Sequence, residues 1–240
     1  TASGKSLMIY SICRYHVENG RKVLLIVPTT SLVEQMYKDF EDYGWDAEKY
    51  CYKIYGGAPR NTDQSVIIST WQSIYKLDRK WFGNFEVVIG DEAHQFKSKS
   101  LVNIMTKMAD TKYRYGFTGT LDGTQTHKWV LEGLFGPSYK IISTKKLQDA
   151  GYLAKLNIKV LIMKHDPQKF DTYEDEVQYI INHDKRNKFI KNLAHDLKGN
   201  TLILYSRVAT HGQVLFDLIN IGNRKVFFVH GGVDAQEREE

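Results

Sequence analysis

The chain has 240 residues, of which 42% are hydrophobic and 25% are charged, a balance that is typical of a globular protein. No apolar run approaches the ~20 residues that a transmembrane helix needs, which excludes a membrane-spanning protein. The net charge of +5 is a small basic excess that permits a polyanionic partner without requiring one.

Neither cysteine, Cys13 nor Cys51, has metal-ligand spacing, and nothing resembles a secretory signal. We therefore expect reduced thiols, a cytoplasmic location and no membrane partner. Residue 1 already lies inside a motif, so we expect the sequence to be a piece of a longer protein.

The first element is a loop of small residues, Thr1-Ala2-Ser3-Gly4-Lys5-Ser6, which opens a helix that ends near Asn19-Gly20. The backbone N–H groups and the positive dipole end of a helix start suit phosphates. Lys5 is placed for the β- and γ-phosphate oxygens, and the Ser6 hydroxyl is placed for Mg²⁺. Gly-Lys-Ser alone is a weak motif, so its meaning depends on the other motifs of the chain.

Strands and helices then alternate. A predicted strand over 22–27 ends in Pro28-Thr29-Thr30, and an amphipathic helix follows over 31–43. A second strand over 65–69 leads into Thr70-Trp71-Gln72 and a helical turn. A tryptophan at such a position is also typical of core packing, so Trp71 has two open interpretations.

The central stretch is the predicted strand 85–89, which is followed by Asp91 and Glu92. Carboxylates do not suit the middle of a strand buried on both faces, but at its C-terminal edge they face the crevice where α/β sheets bind ligands. In phosphoryl-transfer enzymes an acid at this position holds Mg²⁺, directly or through water, and a neighbouring carboxylate can orient or deprotonate the attacking water. The pair alone also suits an ordinary loop start.

The alternation continues with a helix over 100–109 and a strand over 113–117, which ends in Thr118-Gly119-Thr120. Such a βα pattern predicts a parallel sheet covered by helices, with its loops gathered on one edge. A further strand is predicted at 139–142.

The pattern breaks at a predicted hinge over 147–156 and then restarts. It indicates strands at 157–163, 201–205 and 225–229, a long helix over 173–197 and a shorter one over 211–221. The sequence therefore predicts two α/β units, residues 1–146 and 157–240, each with a parallel sheet covered by helices.

Five motifs stand in a fixed order: a phosphate loop at a helix start, then Pro-Thr-Thr, Thr-Trp-Gln, Asp91-Glu92-Ala93-His94 and Thr-Gly-Thr, each after a strand. In this arrangement the chain resembles superfamily 2 helicases of the DEAH-box type, and among these it is most similar to UvsW-like phage helicases. The resemblance covers nearly the whole chain. It implies that residues 1–146 and 157–240 are two RecA-like P-loop NTPase lobes, each truncated at a chain end.

The resemblance implies an ATP-dependent enzyme that uses ATP and Mg²⁺. It implies that Lys5, Asp91 and Glu92 are catalytic, that residues Thr1, Ala2, Ser3, Gly4, Lys5 and Ser6 bind the nucleotide, and that Ser6 and Asp91 hold the metal. The residues that it implies for coupling the nucleotide to the nucleic acid are His94, Thr118, Gly119 and Thr120. The residues that it implies for nucleic-acid contact are Pro28, Thr29, Thr30, Thr70, Trp71, Gln72, Ser206, Arg207, His230 and Gly231.

The expected partner is single-stranded or branched duplex DNA, with RNA left open, and the expected place is the host cytoplasm if a phage encodes the chain. The resemblance implies a helicase or translocase that remodels branched DNA in recombination, replication or repair. Because the family places its arginine-bearing motifs after residue 240, we expect residues 1–240 alone to hydrolyse ATP weakly or not at all.

Three alternatives stay open. The motor of a restriction or remodelling complex would show nearly the same motifs and would translocate without separating strands. A nucleic-acid-binding module that has lost catalysis is a second alternative, although the presence of Lys5, Asp91 and Glu92 together argues against it. A small-molecule P-loop kinase would not need the second lobe.

Overall fold

The computed structural model describes residues 4–119, 124–165, 168–222 and 224–232. Two compact units make up the chain, Thr1–Leu156 and Asn157–Glu240. In the described ranges no helix has the length and apolar character needed to cross a membrane.

The first unit is built on five parallel strands in the order β2-β3-β1-β4-β5. They are β1 (Val23–Val27), β2 (Cys51–Ile54), β3 (Val66–Thr70), β4 (Val87–Gly90) and β5 (Tyr113–Gly116). The chain leaves the central β1 for one side of the sheet and returns past it to the other, so the direction of travel switches between β1 and β4. Open α/β sheets bind ligands at such a switch point, outside the carboxyl ends of the strands.

Helices cover both faces of this sheet. They are α1 (Lys5–Glu18), α2 (Thr30–Asp42), α3 (Ala47–Tyr50), α4 (Trp71–Ile74), α5 (Arg79–Phe82), α6 (Lys99–Lys107), α7 (Gln125–Phe135) and α8 (Thr144–Asp149), with a 3₁₀ helix over Ala93–Lys97. Alternate residues of each strand enter different cores. Leu25 packs with residues of α1 and α2, whereas Ile26 packs with residues of α6. Burial on both faces explains why β1, β3 and β4 are continuous apolar runs.

The strands β1, β3, β4 and β5 lie within two residues of their predicted bounds, because buried parallel strands have a strong sequence pattern. The structure adds elements that the sequence analysis did not predict, among them β2, α7 and the short helices α3, α5 and α8. The edge strand β2 is short and only half apolar, and α7 follows residues outside the described part of the chain. The strand predicted at 139–142 is wrong: these residues are exposed and form no strand.

The second unit contains α9 (Tyr173–Asn182), α10 (Asp184–Asp196), a π-helical turn (Val208–Gly212) and α11 (Gln213–Ile219). The single long helix predicted over 173–197 is wrong, because it is interrupted at His183. That residue has an extended backbone, with ψ of 104°, and its Nδ1 accepts a hydrogen bond from the Arg186 N–H to cap α10. A helix therefore ends and a new one begins there.

The strands predicted at 157–163, 201–205 and 225–229 are not formed in the described residues of the second unit. The alternation that suggested them is still present: Ile203 packs against the small core of Ala194, Leu215 and Ile219, whereas Leu204 is 84% exposed. The pattern identifies residues that suit a strand, but a strand exists only where a neighbouring backbone pairs with it.

Candidate active site

The carboxyl ends of parallel strands meet at one edge of a sheet, so the loops after β1, β3, β4 and β5 open on the same edge. The predicted motifs come directly after these strands. Pro28 follows β1, Trp71 follows β3, Asp91 follows β4 and Thr118 lies two residues after β5. The fold thus collects at one edge motifs that are separated by up to 90 residues in the sequence.

The helix α1 begins at this edge. Gly4 precedes it in the left-handed conformation, with φ of 71°, which glycine adopts without the steric cost that a side chain brings. Lys5 and Ser6 occupy the first turn, where backbone N–H groups have no partner within the helix. Burial raises the pKa of the Tyr43 phenol, and Ser6 acts on it in the opposite direction. Thr1, Ala2 and Ser3 lie outside the described residues.

Lys5 joins the phosphate loop to the two acids. Its Nζ donates a 2.7 Å hydrogen bond to Glu92 Oε1 and lies 3.8 Å from Asp91 Oδ1. The Lys5 side chain is only 12% exposed, and this partial burial strengthens a charge-assisted contact. The structure therefore brings together the three expected catalytic residues, although Lys5 lies far from Asp91 and Glu92 in the sequence.

Asp91 is 8% exposed, and its backbone N–H donates to the Ile26 carbonyl of β1 at 2.9 Å. Burial raises the pKa of its carboxyl group, with the Lys5 ammonium acting in the opposite direction. Its Oδ1 is buried and makes no hydrogen bond within the described part of the chain, and the 3.8 Å separation from Lys5 is too long for one. A buried carboxylate oxygen in this condition suits a cation.

A magnesium ion that accompanies a nucleotide needs only one or two protein ligands, because phosphates and waters supply the rest. Asp91 and Ser6 supply oxygen atoms, the ligands that Mg²⁺ prefers. Among the residues that the structure describes, no cluster of three or more His, Cys, Asp or Glu side chains forms a protein-only metal site. The arrangement thus suits a metal that arrives with a phosphate ligand.

Glu92 has a left-handed backbone, with φ of 48° and ψ of 52°, and is the one non-glycine residue with positive φ in the described ranges. Such a conformation costs of order 1–3 kcal/mol and persists where neighbouring contacts hold it. Here the following N–H, that of Ala93, donates to the Phe117 carbonyl at 2.7 Å. The strained turn directs the Glu92 side chain to Lys5.

His94 continues the contacts from Glu92 to the loop after β5. Its Nδ1 lies 3.2 Å from Glu92 Oε2 and 2.9 Å from Thr118 Oγ1. The Glu92 carboxylate and the Thr118 hydroxyl thus lie beside the same ring nitrogen of His94. Lys5, Glu92, His94 and Thr118 therefore form one chain of contacts across three loops. Gly119 is exposed beside it, and Thr120 lies outside the described residues.

The loops expected to contact nucleic acid in the first unit differ in exposure. Thr29 and Thr30 are exposed, and Thr29 Oγ1 accepts a hydrogen bond from the Leu32 N–H to cap α2. Thr70 is 4% exposed and its hydroxyl pairs with that of Ser73 at 2.9 Å. Because the Thr70 hydroxyl lies below the surface, Trp71 and Gln72 form the accessible part of that loop. In the loop after β1, Pro28 is half-buried.

In the second unit, Arg207 is held by Glu174 through a bidentate pair of 2.7 and 2.6 Å. The guanidinium lowers the pKa of the Glu174 carboxyl to about 2. His230 Nδ1 accepts a hydrogen bond from the Gly232 N–H at 3.1 Å, and Ser206 and Gly231 are exposed. Arg207 is therefore engaged by a carboxylate in this structure.

The sequence analysis did not identify Arg60, Tyr75 and Lys76, which line an open groove beside Trp71. A partial signal for Tyr75 and Lys76 was present in the sequence, because residues 71–76 contain two aromatic residues, Trp71 and Tyr75, followed by the basic Lys76, and such residues suit nucleic acid. Arg60 could not be placed there from the sequence, since its approach depends on the fold.

Comparison with known proteins places this fold among RecA-like helicase domains. The crystal structure of UvsW from phage T4 matches 98% of the chain and 48% of its own length, with 30% identity and a TM-score of 0.52. The helicase domain of Hef from Pyrococcus furiosus matches 93% of the chain at 20% identity, with a TM-score of 0.54, and supports the fold alone.

The chain belongs to the family described as type III restriction enzyme, res subunit, whose model matches residues 1–123. It is 34% identical to the ATP-dependent DNA helicase uvsW of Enterobacteria phage T4 over 251 aligned residues, which are 99% of the chain and 50% of that protein. The resemblance to UvsW-like phage helicases is thereby confirmed, and the chain spans about half the length of that relative.

Proposed function

We propose that this chain is the motor of an ATP-dependent DNA helicase or translocase, which couples ATP hydrolysis to movement on DNA and to remodelling of branched DNA in recombination, replication or repair. One observation carries this proposal. The contacts from Lys5 through Glu92 and His94 to Thr118 connect the phosphate-binding helix start with the loop after β5. Relatives named as ATP-dependent DNA helicases support it.

In this proposal Lys5 and the N–H groups of the first turn of α1 hold the phosphates. Ser6 and Asp91 would hold Mg²⁺, which neutralises charge that develops on the phosphoryl oxygens when it is bound. Glu92 orients the attacking water and accepts its proton. The ATP phosphates replace Glu92 as the partner of Lys5, and this exchange frees the Glu92 carboxylate for the water.

His94 and Thr118 give the site a route to the nucleic acid. Glu92 and Thr118 meet at His94 Nδ1, so any shift of Glu92 on nucleotide binding changes the contacts of the loop after β5. We propose that Gly119 and Thr120 share this coupling role. The two RecA-like lobes, 1–146 and 157–240 with the hinge 147–156, then move relative to each other during the cycle.

The proposed partner is DNA, single-stranded or branched. The exposed hydroxyls of Thr29 and Thr30 and the side chain of Gln72 suit phosphate and sugar contacts, which hold the backbone without reading sequence. Arg207 and His230 extend these contacts in the second lobe. The same chemistry also suits RNA. The phage relative supports activity in the cytoplasm of an infected cell.

A second candidate has its own support. The matching family is described by a restriction-enzyme subunit, and such a motor would translocate on duplex DNA without separating its strands. A forked duplex with a labelled strand and a triplex-displacement substrate distinguish the two functions. ATP-dependent strand release supports the helicase, whereas triplex displacement without strand release supports the translocase.

The test uses the full-length protein and its Glu92→Gln variant on both substrates. We expect strand release that requires ATP and is lost in Glu92→Gln. Binding of the fork without nucleotide should weaken steeply as salt rises and should vary little with base sequence, because phosphates supply the contacts. A protein that releases no strand, displaces no triplex and hydrolyses no ATP would contradict both candidates.

A further inference from the structure

An open groove of about 750 Å³ lies beside the loop that follows β3, and we call it the Trp71 groove. It lies between α4 and the first turn of α6, and its lining residues are Arg60, Trp71, Gln72, Ser73, Tyr75, Lys76, Leu77 and Ser100. Two of these side chains are cationic and none is acidic. The groove therefore combines aromatic surface with positive charge, and its volume lies within the range of roughly 300–1,000 Å³ that ligand sites have.

Hydrogen bonds from side chains outside the groove hold the backbone of both of its walls. The indole N–H of Trp81 donates to the Arg60 carbonyl at 2.8 Å, which anchors the wall that carries Arg60. On the other side the Lys107 ammonium donates to the carbonyls of Tyr75 and Leu77 at 2.8 and 2.7 Å. Because these contacts hold the backbone in place, a ligand does not have to order it, and less free energy is lost on binding.

The aromatic surface is equally constrained. Trp71 and Tyr75 pack on one side against the core beneath α6, and their rings meet edge to face at 6.0 Å. Lys76 Nζ lies 5.6 Å from the Tyr75 ring. Trp71 is partly exposed and lines the groove together with the cationic residues Arg60 and Lys76. An occupant with a planar ring and a nearby negative charge matches this surface.

We propose that the Trp71 groove binds one unstacked nucleotide of a single strand, with its base on Trp71 and its phosphate between Arg60 and Lys76. This inference rests on the proposed function, since β3 ends at the same sheet edge as the β4 strand that carries Asp91. It deepens that function by naming the substrate class. A base inside a duplex cannot stack on a protein ring, so the motor would hold an unpaired strand at this loop.

The test measures the Kd of a labelled oligothymidine strand in the absence of nucleotide, for intact strands and for strands with abasic positions. Trp71→Leu keeps apolar bulk against the core and removes the ring. We expect its Kd for the intact strand to rise by roughly 5- to 150-fold, the effect of losing one base stack. Trp71→Phe should recover most of the affinity. The matched control is Trp129→Leu, since Trp129 lies on α7 and is 64% exposed.

Abasic strands separate stacking from a merely structural effect. In the unaltered protein at least one abasic position should weaken binding, and the same position should have no further effect in Trp71→Leu. Lys76 is exposed, so its substitution should not destabilise the core. Lys76→Gln should lower the slope of log Kd against log salt by about one, whereas Lys80→Gln on α5 should leave the slope unchanged.

Photocrosslinking with 5-iodouracil should join the strand to a peptide that contains residues 71–76. Two results would overturn the inference while the proposed function stands: DNA-stimulated hydrolysis in Trp71→Leu with an unchanged Kd, or an abasic penalty that persists in that variant. Saturable binding of free thymidine monophosphate or of a proline-rich peptide at Trp71, without competition by the strand, would also overturn it. Failure of the unaltered protein to bind any strand would instead count against the proposed function.

Discussion

Glu92→Gln should separate nucleotide binding from hydrolysis, because Glu92 has one role before ATP binds and another afterwards. In this structure its Oε1 accepts a 2.7 Å hydrogen bond from Lys5, whose side chain is 12% exposed. A hydrogen bond to a charged group contributes about 1.5–3 kcal/mol. Incoming phosphates must displace this contact, and a glutamine at this position keeps an oxygen that accepts from Lys5 but loses the charge. Only part of the about 1.5–3 kcal/mol is therefore removed, so ATP affinity should stay unchanged or rise by up to about tenfold. Hydrolysis should fall by about 10² or more.

Lys5→Ala should give the opposite result. It removes the cation that contacts the phosphates and leaves the neighbouring carboxylates of Asp91 and Glu92 without it. ATP affinity should fall by roughly 10- to 150-fold, the equivalent of the same 1.5–3 kcal/mol.

The assay is equilibrium binding of a fluorescent ATP analogue together with phosphate release under saturating ATP. The matched control is Glu34→Gln, because Glu34 accepts from Lys53 at the same 2.7 Å on α2 and should change neither quantity. An equal loss of nucleotide affinity in Glu92→Gln and Lys5→Ala would refute the assignment of separate roles. Hydrolysis retained by Glu92→Gln would refute its role towards the water.

Three contacts outside the Lys5–Glu92 pair give further predictions. Burial lowers the pKa of His16 below 6.5, so the unfolded chain binds a proton more readily than the folded chain does. The free energy of unfolding, measured in urea, should therefore fall as pH drops below about 6.5. This fall should be smaller in His16→Gln. Gly90→Ala places a Cβ 2.6 Å from the Phe96 ring and should cost about 1–3 kcal/mol of stability by overpacking; unchanged urea unfolding would contradict this. Glu174→Gln frees the Arg207 guanidinium and should tighten strand binding at low salt; weaker binding would argue against Arg207 as a nucleic-acid contact.

The first unit was largely predictable because its strands are buried on both faces. Runs such as Val23–Val27 leave little ambiguity between strand and surface segment. The order of motifs then predicted which residues meet, since parallel strands bring their carboxyl ends to one edge. The edge strand Cys51–Ile54 was not predicted because it has only four residues, of which only the first and last are buried, one in each core.

The geometry between distant loops could not be predicted from the sequence. The contact between His94 Nδ1 and the Thr118 hydroxyl, and the left-handed backbone of Glu92, depend on packing between residues that are far apart in the sequence. The second unit was harder for a related reason. Its apolar alternation at Ile203 and Leu204 indicates a strand, but pairing is a property of neighbours and not of the segment itself.

The central claim is that nucleic acid drives nucleotide hydrolysis at Lys5 and Glu92. The most direct test is steady-state phosphate release by the full-length protein as single-stranded DNA is titrated at saturating ATP and Mg²⁺. We predict a rate that rises with DNA to a plateau and that falls by about 10² or more in Glu92→Gln at every DNA concentration. A rate that is indifferent to DNA, or one that Glu92→Gln leaves intact, would contradict the claim.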